Sequence, residues 1–347
     1  MLFPGYNLPM QQIWIQKAGP PEVLKIQDAP EPIHRTGEVR IRVEMAGVNF
    51  ADVLGRLGIY PDAPKFPYVP GYEVSGKIDL VGQGVPNFRE GDSVFGLTRF
   101  GGYSEVVCVP YRQVYKRLDW MNAQDGAAIP YTYLTAYMML VVMGSLHAGE
   151  KVLVHGAAGG VGLAVLDLCR IIGAETFGTA SPEKHEYLLG HGLNHAIDYR
   201  NRDYERVVMD LTGGKGVHLV LDPLGGVHWP KNYRLLLPGG RLVHFGASSL
   251  APGKRRSLWS LFRGLVMLPF YTPLKLMSDN KAVIGVNLAR MWDQAEMMQP
   301  WMKQIVAWYD EALFRPKIDR TFLFGEVAEA HHYLQDRQNV GKVLLQP

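Results

Sequence analysis

Residues 152–162 read VLVHGAAGGVG. Four residues suited to a strand run into seven that are only Gly, Ala and one Val, with Gly156, Gly159 and Gly162 at G-x-x-G-x-x-G spacing. That spacing alone says little, since glycine-rich runs are usually turns. The context says more: Val161, Val165, Leu168 and Ile172 follow at helical intervals. A strand, a glycine turn and a helix in that order present backbone N–H groups and a helix N-terminus to an anion, the arrangement that cradles a dinucleotide pyrophosphate. Gly156, Gly159, Gly160, Val161 and Gly162 are therefore candidate cofactor contacts.

The end of the next strand decides which dinucleotide. NAD-binding versions place an Asp or Glu there, about 20 residues on, to accept from the ribose 2′-OH. Here the stretch is GTASPEKH (178–185), with Thr179, Ala180 and Ser181 where the acid would sit. Glu175 lies at the wrong end of that strand and Glu183 in the helix that follows. A small hydroxyl-bearing turn with Thr179 and Ser181, plus Lys184 and the downstream Tyr199, suits a 2′-phosphate that an acid would repel. NADPH is the expected cofactor. Two later strand ends, Asp222-Pro-Leu-Gly-Gly and Phe245-Gly-Ala-Ser-Ser, finish in small residues that let backbone approach a ligand. Asp222, Phe245, Gly246 and Ser248 join the candidate contacts.

Outward from the glycine run, strand-like and helix-like segments alternate from KVLVHG to RLVHFGAS, which predicts an α/β doubly wound parallel sheet. AIPYTYLTAYMMLVVMG (128–144) is apolar all round and predicts a buried helix. Residues 1–125 differ. IWIQKAG, EVRIRVEMAGV, YEVSGKIDLVG, DSVFGL and GYSEVVCVP are short β-like runs separated by turn signals. After a strand-like KAVIGVNL (281–288), a helix over about 293–313 and the tail VGKVLLQP return to the character of the first module. The expected organisation is a β-rich domain of 1–125 and 291–347, interrupted by a dinucleotide-binding domain of 126–290.

With 47% hydrophobic and 20% charged residues, the 347-residue chain has the balance of a globular protein with sizeable cores. No charge-free apolar stretch of transmembrane length stands out, and MLFPGYNLPM lacks the basic and apolar regions of a signal peptide. Two cysteines, Cys108 and Cys169, provide neither a disulfide framework nor a Cys-rich metal site. A reducing cytoplasm is the default, and nothing points to nucleic acid. The net charge of +3 hides an asymmetry, because Pro223–Ser278 holds eight Lys or Arg and no acid. Within it, 252–278 is a basic, aromatic insert carrying Lys254, Arg255, Arg256, Trp259, Phe262 and Arg263. It reads as a cleft wall or dimer lobe, or as a membrane surface. Pro269, Pro273 and Gly264 argue against a long amphipathic helix, so the lobe is favoured.

AGVNFADVLGRLGIY (46–60), VPGYEVSGKI (69–78), YLTAYMML (133–140), the glycine run, GTASPEKH, DPLGG (222–226) and NVGKVLL (339–345) together resemble the medium-chain dehydrogenase/reductase superfamily. The likeness is to its zinc-free quinone oxidoreductase branch, and within that to homologues of vesicle amine transport protein 1. The resemblance implies a GroES-like domain, an inserted Rossmann domain and a cofactor cleft between them. Zinc-dependent members carry a catalytic Cys in the early loop and Gly-His-Glu after the next strand. The corresponding positions here are Asn49 and Gly71-Tyr72-Glu73, so no metal is expected. His191 and His195, four apart, lack a third donor.

Without a Lewis acid, hydride addition to an enone or quinone is the better fit, because its delocalised enolate needs only hydrogen bonds. By resemblance, Asn49 would donate to a carboxamide or substrate carbonyl and Thr135 to the nicotinamide amide. Tyr60 would orient substrate or deliver a proton, or else pack against the prolines after it. Asn287, Asn339 and Lys342 would contact cofactor, and KAVIGVNL would pair across a two-fold axis in a homodimer. Asp52 and Arg56, one turn apart, are expected to form a structural ion pair. The alternative is a weakly catalytic or non-catalytic NADPH-binding protein acting at membranes or as an adaptor.

Overall fold

The computed structural model describes residues 9–250 and 269–347. The chain divides into two units. One takes residues up to Tyr131 with Met291–Gln304 and Ile318–Pro347; the other is Thr132–Arg290 with Ile305–Lys317.

The first unit is the GroES-like domain, built on β1 (Pro9–Ile15), β2 (Leu24–Pro30), β3 (Glu38–Val48), β4 (Glu73–Val81), β5 (Ser93–Leu97), β6 (Val106–Pro110) and β7 (Val114–Lys116). β3 is its spine. Val39, Ile41 and Val43 point inward while Arg40 and Arg42 face Glu31 and Asp79, the period-2 alternation of a half-buried strand. β1 and β2 form their own antiparallel pair, and Ile13 and Ile15 of β1 enter the main core. β2 and β7 are absent from the sequence-predicted strands. β2 is exposed at most positions and β7 spans three residues, so neither carries a hydrophobic pattern. A short helix, α1 (Phe50–Arg56), follows β3 directly.

The second unit is Rossmann-like. Its strands are β8 (Lys151–His155), β9 (Glu175–Ala180), β10 (His195–Asp198), β11 (Val217–Asp222), β12 (Leu236–His244) and β13 (Ala282–Gly285). They form one parallel sheet in the order β10-β9-β8-β11-β12-β13. The order reverses between β8 and β11, and ligands of such sheets bind at the carboxyl ends beside that reversal. The first unit's sheet is completed by β14 (Ile318–Leu323) and β15 (Lys342–Gln346), in the order β14-β15-β3-β4-β5-β7 with β6 on β3.

The apolar segment forms α2 (Ala123–Tyr137), which continues as one π-helical turn, Met138–Met143. By length and apolarity this 21-residue helix passes for a membrane span, contrary to the sequence expectation, yet 72% of its apolar window is buried inside the protein. It is a core helix. Ile305–Lys317 joins the second unit because Phe314 stacks on Tyr133 at 4.2 Å and Leu313 O accepts from Arg170 at 2.6 Å. Most of the basic insert, 251–268, lies outside the described residues, including Lys254, Arg255, Arg256, Trp259, Phe262, Arg263 and Gly264. The expectation of a lobe over a membrane surface falls there.

Candidate functional site

In the Rossmann unit, β8 ends at His155 and the chain turns through Gly156 at φ 66°. Helix α3 (Gly160–Ile172) begins behind Gly159, whose lack of a side chain leaves the first-turn amides of Gly160, Val161 and Gly162 without a side-chain cap. A Cβ on Gly162 would lie 2.5 Å from the carbonyl oxygens of Gly156 and Ala157, whereas one on Gly156 would meet nothing within 4 Å. The turn is thus closed underneath and open above. Space beside several free helix N-terminal amides fits a pyrophosphate.

Beneath the turn runs a buried polar chain. Asn232 Oδ1 accepts from Tyr204 OH at 3.0 Å and lies 2.9 Å from His155 Nε2, so Nε2 carries the imidazole proton. His155 Nδ1 then accepts from Thr179 Oγ1 at 3.0 Å, and the Gly156 amide reaches the same hydroxyl at 3.4 Å. Burial holds His155 below its usual range, which keeps this neutral arrangement. Thr179, 3% exposed, is therefore tied into the floor of the cradle. His155 was not among the expected site residues. Its position, last before the glycine turn, was the available signal.

At the end of β9, Ser181 precedes a 3-10 turn, Pro182–Lys184, without a side-chain capping bond, and Lys184 is half-buried. Tyr199 and Arg200 follow the neighbouring β10, whose Asp198 is paired with Ala180. Arg200 also went unpredicted, yet its guanidinium reaches Glu183 at 2.7 Å. At β11, Asp222 is fully buried and accepts from the amides of Leu224 at 2.7 Å and Gly225 at 3.1 Å. Burial opposes its ionisation, but His244, His155 and those amides hold it below the usual carboxylate range. The Phe245 amide bonds Asp222 O, Ser248 N bonds Pro223 O, and exposed Gly246 lies between them, so the two expected strand ends are tied together. Asn287 is exposed just beyond β13 and caps Ala289 N at 3.1 Å. Thr135 is buried on α2.

In the GroES-like unit, Asn49 caps α1 and is 7% exposed. Its Nδ2 donates to Glu73 Oε1 at 3.0 Å, and its Oδ1 accepts from Lys342 Nζ at 2.7 Å. Lys342 also bonds Glu73, whose other oxygen accepts from Tyr131 N at 2.7 Å. Glu73 and Lys342 are 0% and 4% exposed. Gly47 makes room for them, since a Cβ there would lie 2.3 Å from Glu73 Oε1. Asn339 Nδ2 bonds Gly341 O, fixing the turn into β15. The rings of Tyr60, Phe100 and Tyr131 surround buried Tyr72, with centroids 5.2–6.2 Å away. Tyr60 therefore combines aromatic packing with a hydroxyl that hydrogen-bonds Tyr131.

The expected Asp52–Arg56 ion pair does not form. Asp52 accepts instead from Asn49 N and Gly71 N, both at 2.9 Å, and from Tyr103 OH at 3.2 Å. Arg56 turns to Gly19 O and Gln335. Helix capping and the approach of the Gly71 amide use the carboxylate before the side chain one turn on can reach it. Burial pushes Asp52 up to about 7 against the amides, Lys342 and Tyr103. The folded chain keeps a proton that the unfolded chain loses near about 3.9. This stabilising contribution is present at acid pH and is lost as pH rises from about 4 through 7. Unfolding free energy should therefore fall less steeply over that window in Asp52→Asn than in the parent; equal slopes would contradict this.

A zinc ion does not suit these residues. Asn49 is a neutral amide, burial holds the Tyr72 phenol far above its usual ionisation range, and the Glu73 carboxylate is neutralised by Lys342. A dication beside that ammonium would be repelled. His191 and His195 are engaged separately, with Asp167 at 3.1 Å and Glu175 at 2.8 Å. Among the described residues no three His, Cys, Asp or Glu converge as a metal site.

Residues 35–119 match the alcohol dehydrogenase GroES-like domain, and residues 191–345 match a family described as zinc-binding dehydrogenase. The synaptic vesicle membrane protein VAT-1 homolog of Rattus norvegicus is 39% identical over 98% of this chain and 84% of its own length. Human quinone oxidoreductase is 32% identical over 97% of both chains. Mycobacterial Rv1454c, solved in complex with NADPH, superposes with a TM-score of 0.85 at 27% identity, covering 97% of this chain and 100% of that one. The chain belongs to the medium-chain dehydrogenase/reductase superfamily of oxidoreductases, among the quinone oxidoreductases and VAT-1 homologues.

Proposed function

We propose that the protein is an NADPH-dependent, zinc-independent reductase of quinones or α,β-unsaturated carbonyls. The observation that carries this reading is the buried Asn49–Glu73–Lys342 cluster, in which an ammonium bonds the amide that stands where zinc-dependent relatives carry a Cys ligand. The NADPH complex of the Rv1454c neighbour supports the cofactor choice.

NADPH, when bound, supplies the hydride. The amides of Gly156, Gly159, Gly160, Val161 and Gly162 hold the pyrophosphate, and Ser181, Lys184 and Tyr199 take the 2′-phosphate. Thr179 supports them from below. Asp222 shapes the turn beside Phe245, Gly246 and Ser248, whose backbone lines the carboxyl edge of the sheet. Thr135, Asn287 and Asn339 hold the remainder of the dinucleotide.

Asn49 spends one amide hydrogen on Glu73 and its oxygen on Lys342, so its remaining N–H, 3.5 Å from Gly47 O, is the only donor left to it. An ammonium has three N–H groups, and Asn49 and Glu73 take two from Lys342. That third N–H, backed by the Asn49 amide, is the stronger hydrogen-bond donor for a developing enolate. Tyr60 orients the substrate or returns the proton to carbon.

Among the described residues β13 is an edge strand with a sheet neighbour on one side, which suits two-fold pairing, so a homodimer accompanies this reading, in the cytoplasm. Following NADPH oxidation against enones, quinones and saturated aldehydes tests the function. Turnover of the conjugated acceptors alone is expected; preference for saturated aldehydes, or no turnover at all, would overturn it.

A further inference from the structure

β9 and β10 run in parallel register with Ala180 beside Asp198, so the turns that follow, Ser181–Lys184 and Tyr199–Arg200, leave the same edge of the sheet together. That edge is where doubly wound sheets read the ribose 2′ position. The two turns are joined by one carboxylate. Glu183 Oε1 accepts from Arg200 Nη1 at 2.7 Å, and Glu183 also takes the Ser181 hydroxyl. Arg200 is steadied from behind, its amide bonded to Asp198 Oδ1 at 2.9 Å and its guanidinium meeting the Tyr199 hydroxyl.

We propose that Glu183 is a specificity-determining residue whose carboxylate occupies the Ser181 and Arg200 donors that a ribose 2′-phosphate would take, weakening NADPH relative to NADH. The inference rests on the dinucleotide reading above and adds Glu183 and Arg200 to it. A carboxylate and a phosphate compete for the same hydroxyl and guanidinium, and each repels the other. A ribose 2′-OH, by contrast, can donate to Glu183. The Glu183 and Arg200 side chains are 65% and 52% exposed, so the pair is weakly held and a dianion can displace it at modest cost. The chain thus carries cations for a 2′-phosphate together with an internal competitor for them.

The test is equilibrium binding of NADPH, NADH, adenosine 2′,5′-bisphosphate and adenosine 5′-monophosphate to the full-length protein and to Glu183→Gln and Arg200→Ala. Both side chains are exposed, so folding is not at stake. Glu183→Gln should tighten NADPH and the bisphosphate about three- to tenfold while NADH and the monophosphate stay level or weaken. Arg200→Ala should weaken NADPH and the bisphosphate alone. If the parent binds NADPH but Glu183→Gln leaves its affinity unchanged or lower, the competitor role is wrong and the cofactor reading stands. If the parent binds none of the four, the cofactor reading fails and this inference fails with it.

Discussion

Glu73→Ala is expected to destabilise the protein by about 3–5 kcal/mol, because it leaves a buried ammonium without its counter-charge. Glu73 is fully buried and Lys342 nearly so. The carboxylate receives Lys342, the Asn49 amide and the Tyr131 backbone N–H. Its loss takes an acceptor from three buried donors at once and leaves the Lys342 ammonium only the Asn49 oxygen. Chemical denaturation of the parent and variant measures the effect. The double variant Glu73→Gln with Lys342→Met should recover much of the loss by removing both charges, while cofactor-dependent activity stays low. A single-variant change below about 1 kcal/mol would show that the pair is not buried as described.

Lys184→Ala should cost about 1.5–3 kcal/mol of charge-assisted hydrogen bonding to a 2′-phosphate. NADPH affinity would then drop roughly ten- to a hundredfold, with little change for NADH. The position supports this size of effect. Lys184 closes the turn that Ser181 opens, its amide bonding Ser181 O at 3.0 Å, so the lysine is held beside the edge where a 2′-phosphate would lie. Titrations with both cofactors decide the matter. Equal losses for NADPH and NADH would mean that Lys184 acts on something common to both.

The parts of the fold legible in the sequence are those where one residue type has a single physical use. The glycine run could be placed between a strand and a helix because the positive φ at Gly156 favours glycine and the carbonyl contacts at Gly162 leave no room for a Cβ. β3 was legible from its alternation of Val and Ile with Arg. β2 and β7 were not, because strand pairing rather than side-chain pattern defines them.

The candidate site divides in the same way. Asn49 and Tyr72 stood out as departures from a metal-ligand pattern. The role of Glu73 did not, since its partner Lys342 is 269 residues away and only the pairing of both β15 and β4 with β3 brings their strands to either side of it. Asp52 and Arg56 look like a helical ion pair until the Gly71 amide and the Tyr103 hydroxyl arrive from elsewhere in the chain. Likewise, Arg200 joins Ser181 and Glu183 only through the parallel pairing of β10 with β9.

If the Lys342 ammonium takes the part that a metal plays in zinc-dependent relatives, the reaction survives complete removal of zinc. The rate of NADPH-dependent reduction of a conjugated enone is compared before and after exhaustive chelation, with bound zinc determined on the same sample. An unchanged rate with zinc far below one per chain is the predicted result. Zinc at one per chain, with activity lost on its removal and restored by its return, would contradict it.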